Sequence, residues 1–196
     1  MANKIITISR EFGSGGRFIG EEVAKKLGMK YYDKDIISQI AEKLGFSKEY
    51  ISQNAELSPK KGLFAYALTG RDTTGKSVED MVYEAQRKVI MEIAEKENCV
   101  IVGRNADFIL KDRKDVLNVF IHGSIPEKVR RICSLYNVTE VDAIKMINDI
   151  DKRRRTNYNF YTEQKWGMAE NYTMSLNSSV LGYDLCQKII IDCAKL

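Results

Sequence analysis

The run Arg10-Glu11-Phe12-Gly13-Ser14-Gly15-Gly16-Arg17 places three glycines within four positions and an arginine at each end. Glycine removes the side chains that keep backbone N–H groups apart, so such a run suits the holding of phosphate. Its neighbours fit that use. A β-branched stretch, Lys-Ile-Ile-Thr-Ile-Ser, leads into the glycines, and a helical pattern ending Ala-Lys-Lys-Leu-Gly follows. The turn therefore opens a helix, whose N-terminal N–H groups also favour an anion. Two familiar motifs are excluded. Phe18 stands where a dinucleotide fingerprint needs its third glycine, and counting a Walker A from Gly15 gives Gly20 followed by Glu21 instead of lysine. A tight strand-to-helix turn without a ligand is the competing reading of the loop alone.

Further residues carry charge in patterns that suit phosphoryl chemistry. Lys152-Arg153-Arg154-Arg155 precedes Tyr158, Phe160, Tyr161 and Trp166. Arginines on a closing segment neutralise the charge that spreads over a phosphoryl group in transfer. The same run with its aromatics could instead grip single-stranded nucleic acid, or be a solvated basic face. Asp33 ends a short apolar segment, and Arg104 and Asn105 end another; each either meets a substrate or caps the helix that follows. Cys99, Cys133, Cys186 and Cys193 stand singly, and His122 is the sole histidine. A zinc site or a Cys–His nucleophile is thereby disfavoured, and buried reduced thiols are expected.

The elements that must position these residues follow from periodicity. Residues 30–33 and 98–103, Val116–His122 and residues 188–192 read as strands alongside the first; residues 20–27, 78–96 and 183–187 read as helices. Strands alternating with helices predict a parallel sheet of about five strands with helices on both faces. Ligands of such sheets gather beyond the carboxyl ends of the strands, where the glycine run, Asp33, Arg104 and Asn105 would meet. Two stretches interrupt the pattern, 37–77 and 151–176, the second basic, aromatic and weakly periodic.

With 196 residues, 44% hydrophobic and 30% charged, the chain can bury one substantial core. No apolar run reaches the ~20 residues of a membrane span, and an apolar leader is absent from the N-terminus, so a cytoplasmic protein with no membrane partner is expected. A net charge of +4 decides little between a polyanionic small substrate and nucleic acid.

The segments Ile8 to Arg17, Tyr31-Tyr32-Asp33-Lys34, Val100 to Asp107 and Leu176-Asn177-Ser178-Ser179 together resemble the cytidylate kinase-like family of bacterial P-loop proteins. That resemblance implies a three-layer P-loop NTPase fold in one kinase domain. Its core would be about 1–36, 78–150 and 177–196, with a helical acceptor-binding insertion at about 37–77 and a basic lid at about 151–176. It implies transfer of the ATP γ-phosphoryl group, with Mg²⁺, to a nucleoside monophosphate, CMP or dCMP. Gly13, Ser14, Gly15, Gly16 and Arg17 would hold ATP; Asp33, Arg71, Arg104 and Asn105 the acceptor; Arg17, Arg153, Arg154 and Arg155 would be catalytic. Aligned without gaps to ordinary cytidylate kinases, Gly16 falls at the place of their loop lysine and Phe18 at that of their metal-holding hydroxyl, which makes Arg17 the natural substitute for the missing cation and Arg10 a second candidate. Asn105 stands where the family has aspartate, which leaves base preference open. The alternative function is a nucleotide-binding regulatory or RNA-associated protein that kept the fold without efficient chemistry.

Overall fold

The computed structural model describes residues 4–45, 47 and 78–196. Five strands, β1 (Ile5–Arg10), β2 (Lys30–Tyr32), β3 (Cys99–Val102), β4 (Val116–His122) and β5 (Met174–Asn177), form one parallel sheet in the order β2-β3-β1-β4-β5. β1 is buried along its whole length because both its faces are covered, which is why its sequence is an apolar, β-branched run without alternation. Ile6, Ile8, Val100, Val102, Val119 and Ile121 face α1 (Gly16–Leu27) and the C-terminal helix. Ile5, Cys99 and Ile101 face α2 (Lys34–Leu44), α3 (Val78–Lys96) and the short α4 (Ala106–Ile109). β1 lies at the centre with β3 and β4 on either side. The turns after all three strands therefore open at one end of the sheet, around the glycine run.

Beyond β4, α5 (Ile125–Tyr136) and α6 (Glu140–Thr162) form a hairpin with its own small core of Val129, Ile132, Ala143 and Ile147, into which Phe12 packs. Residues 151–162 thus continue a 23-residue helix. Its buried face there is polar, carrying Asp151, Asn157 and Thr162 beside Tyr158, so no apolar period marks it in the sequence.

The chain ends in α7 (Ser178–Ala194), broken at Gly182 where φ is 73°. Here the structure differs from the sequence reading: residues 188–192 lie in this helix, and the fifth strand is Met174–Asn177. Three consecutive isoleucines suggested a strand by β-propensity, but Cys186, Ile190 and Ala194 at four-residue spacing are the positions buried against the sheet. No helix among the described residues is long and apolar enough to cross a membrane.

Candidate functional site

The glycine run forms a compact loop between β1 and α1. Gly13 and Gly15 take left-handed φ of 84° and 81°, and the Ser14 N–H and Oγ both donate to Glu11 O (3.3 and 2.9 Å). Ser178 Oγ at the start of α7 donates to Ser14 O (2.7 Å), fixing the loop from the far side. Packing leaves no space for larger residues at two of these positions. A Cβ on Gly15 would lie 2.6 Å from the Tyr183 ring, and one on Gly16 would lie 2.6 Å from Arg10 Cβ. Above the loop is a cavity of about 130 Å³ walled by Arg10, Glu11, Gly13, Arg17, Arg131 and Arg154 among others.

The arginines expected at the site divide sharply. Arg17 is half exposed and its Nε pairs with Asp33 Oδ2 (2.7 Å), so its guanidinium is turned toward the end of β2. Asp33 is buried at the head of α2 but makes no capping bond; its carboxylate serves Arg17. Arg10 is a buried cation beneath the loop, only 4% exposed, its Cβ packed against Gly16. Within the arginine run, Arg153 pairs with Asp149 on its own helix (3.9 Å), and Arg155 lies over the Trp166 ring (5.8 Å). Arg154 reaches the loop, where its Nη1 donates to Arg10 O (3.1 Å). A helix exposes successive residues 100° apart, so three adjacent arginines cannot share one target.

After β3 the chain passes through three consecutive left-handed residues, Gly103, Arg104 and Asn105, with φ of 71°, 63° and 54°. Such a conformation is costly for arginine and asparagine and persists because neighbours fix it. Gln86 Nε2 on α3 donates to Arg104 O (2.8 Å), and Asn105 Nδ2 donates to Asn157 Oδ1 on α6 (3.2 Å). Asn105 sits at the head of α4 without making a side-chain cap. The bend turns Arg104 into a narrow cleft of about 10 Å³ shared with Ser9, Arg10 and Arg154, and among the described residues lining it there is no carboxylate. Arg71 lies outside the described residues.

Two polar clusters beneath the site escaped the sequence reading. In the first, the Tyr158 hydroxyl donates to Asp107 Oδ2 (2.7 Å) and Ser9 Oγ to Oδ1 (3.2 Å). Burial pushes the Asp107 carboxyl above its ordinary value, against the lowering effect of those bonds. A carboxyl raised on folding contributes stability that is full below its unfolded value of 3.8 and lost as pH climbs through the folded value. Asp107→Asn should therefore gain on the wild-type protein as pH rises above 3.8; urea midpoints across a pH series would refute this by showing a constant difference.

In the second cluster, Lys128 on α5 is 3% exposed and places its Nζ 2.9 Å from Glu11 Oε2 and 3.3 Å from Asp151 Oδ2. Glu11 Oε2 also accepts from the Gly123 N–H (3.2 Å), and Asp151 Oδ1 accepts from the Phe12 N–H (2.7 Å). A sequence signal existed: Lys128 falls in the helical stripe of Val129 and Ile132, an odd place for an unpaired lysine.

The residues present do not make a cage for a divalent cation. Among the described residues no group of three histidine, cysteine or acidic side chains is suitably gathered. Phe18, where a hydroxyl ligand would be expected, is 42% exposed, and Glu11 and Asp33 are already engaged by Lys128 and Arg17. The aromatics of the second interruption are mostly spent inside the protein. Tyr158 is buried, Tyr161 stacks on Tyr83 (4.0 Å between centroids) and Trp166 meets Phe120 edge-on (5.3 Å). Half-exposed Phe160 is the exception among the four.

The fold recurs in several solved proteins. An uncharacterized protein from Eubacterium ventriosum superposes with a TM-score of 0.74 at 27% identity, over 96% of each chain. Shikimate kinase from Bacteroides thetaiotaomicron gives 0.53 at 16% identity, also over 96% of each. Shikimate kinase from Acinetobacter baumannii, solved with shikimate, gives 0.52 at 16%, over 95% of this chain and 90% of that one. The last two share the P-loop kinase fold with this protein. No curated protein matches the sequence. The sequence profile of the cytidylate kinase-like family matches residues 5–180.

Proposed function

Since the chain belongs to the cytidylate kinase-like family, we propose that it is a phosphotransferase moving the γ-phosphoryl group of ATP to a nucleoside monophosphate, with CMP or dCMP as the acceptor. The observation that carries this reading is that Arg10 and Arg154 line both the cavity over the loop and the cleft that holds Arg104. Two anionic groups brought to these adjoining spaces would share the same pair of guanidiniums. Phosphoryl transfer needs that arrangement, because donor and acceptor oxygens must approach in line while their charge is offset.

In the proposed reaction, the triphosphate lies over Gly13, Ser14, Gly15 and Gly16, and the acceptor phosphate enters from the Arg104 side. An acceptor oxygen attacks the γ-phosphorus as the bond to the β–γ bridging oxygen breaks, and the electron pair leaves on ADP. An ionised monophosphate needs no general base. The chain's contribution is then positioning and charge: Arg104 orients the acceptor, while Arg10 and Arg154 offset the charge on the equatorial oxygens. Arg10 takes the part of the missing loop lysine, since Arg17 is held by Asp33. Mg²⁺ would arrive on the nucleotide's phosphates. The cleft is too narrow for a base, so the acceptor's nucleoside would lie outside it. With nucleotides as both substrates, the reaction belongs in the cytoplasm.

The resemblance also favours a second reading, a nucleotide-binding protein without small-acceptor activity, since aligned without gaps Gly16 and Phe18 stand where ordinary cytidylate kinases would carry a loop lysine and a metal-holding hydroxyl. A coupled assay with ATP, Mg²⁺ and a panel of monophosphates separates the two. Turnover with CMP or dCMP is the expected result; ATP binding without transfer to any acceptor would overturn the kinase reading.

A further inference from the structure

The loop of this protein carries its own negative charge. Glu11 lies one residue past β1 and is among the residues that line the cavity proposed for the triphosphate, so its charge lies close to that ligand. Left alone it would repel that ligand. Its Oε2 is 2.9 Å from Lys128 Nζ, and the same ammonium is 3.3 Å from Asp151 Oδ2. Arg154 Nη1 stands 3.7 Å from the other Asp151 oxygen, so two carboxylates and two cations alternate beneath the loop.

Lys128 is too enclosed to reach a ligand itself. Its side chain is 4% exposed, and its Cβ lies 3.1 Å from where a Gly13 Cβ would stand. What it touches are the two carboxylates that grip backbone on either side of the loop. Asp151 holds the Phe12 N–H (2.7 Å) and Glu11 holds the Gly123 N–H (3.2 Å) after β4. Buried charge must be paired to be tolerated, and here one ammonium pairs with both.

We infer that Lys128 is a positioning residue and the counter-charge of the phosphate loop: by neutralising Glu11 through a buried ion pair it makes the loop able to accept a nucleotide triphosphate. The inference rests on the kinase reading for the identity of the ligand, and it assigns to α5 a role that loop lysines perform by direct contact.

Calorimetric titration of the full-length protein with ATP and Mg²⁺ tests it through net charge at the Glu11–Lys128 pair. Lys128→Met leaves the pair one unit negative and should weaken ATP binding by about ten- to a hundredfold. Glu11→Gln leaves it one unit positive and should bind at least as tightly as wild type. The double variant Glu11→Gln/Lys128→Met is neutral, like wild type, and should bind within about threefold of it. The spread should narrow as salt is added. A purely structural lysine would not produce this order, because the double variant would then bind no better than Lys128→Met.

Unchanged affinity in a folded Lys128→Met, or a double variant more than about tenfold weaker than wild type, overturns the inference while leaving the kinase reading intact. If Lys128→Met alone fails to fold, the double variant, which buries no unpaired charge at Glu11, decides by the same threshold. Wild-type protein that is folded and binds no ATP would overturn the kinase reading and this inference with it.

Discussion

Arg154→Met is expected to lower kcat by about a hundredfold or more while shifting either KM far less, the range seen when a preorganised electrostatic donor is removed. The reason is its place between the two cavities, donating to Arg10 O and packed over Phe12. A group that meets charge only as the phosphoryl moves lowers kcat and kcat/KM together. Arg153→Met and Arg155→Met supply the contrast, since one arginine pairs with Asp149 and the other covers Trp166. Each should keep kcat within about threefold of wild type, because neither lines the cavity over the loop or the cleft beside it. Steady-state kinetics on the three variants would refute the assignment if Arg153→Met or Arg155→Met lost as much as Arg154→Met. Equal loss would mean that the helix presents its whole basic run to the ligand.

Arg104→Met should act on the acceptor instead. Arg104 is buried and lines the narrow cleft, on a left-handed backbone whose carbonyl Gln86 holds. Losing one charge-assisted contact costs about 1.5–3 kcal/mol, which corresponds to roughly a ten- to hundredfold rise in acceptor KM. The ATP KM should stay within about threefold, because Arg104 does not line the cavity over the loop. Methionine keeps the length of the side chain. A thermal melt alongside the kinetics separates a lost contact from a collapsed bend. A parallel rise in both KM values would assign Arg104 to holding the loop region together.

The cytidylate kinase-like resemblance was legible because its signals are local. The glycine run, the β-branched strand before it and the helix after it follow one another in the chain. β4 appeared at its observed bounds because a fully covered parallel strand is a continuous apolar run. The helix Val78–Lys96 was equally plain from its period. Where the local signal was ambiguous, the reading failed: Ile189, Ile190 and Ile191 favour a strand by themselves, and only packing of one face on the sheet makes them helical. Residues 151–162 hid their helix because its inward face is built from polar groups with distant partners, Asp107, Asn105 and Lys128.

Local pattern alone reaches the type of protein: a parallel α/β sheet with a phosphate-suited loop at the carboxyl ends of its strands, and a cation missing from the customary place. How the charges are placed follows only from the packing. Arg10, Arg17, Arg104, Arg153, Arg154 and Arg155 are chemically alike, and nothing in their spacing says which are bound elsewhere. Asp33 holds Arg17, Asp149 and Trp166 take Arg153 and Arg155, and Arg10, Arg104 and Arg154 converge in the cleft. Lys128 reaches Glu11 across 117 positions of chain. Long side chains choose partners by proximity in space, and that proximity exists only once the strands have paired and the helices have packed.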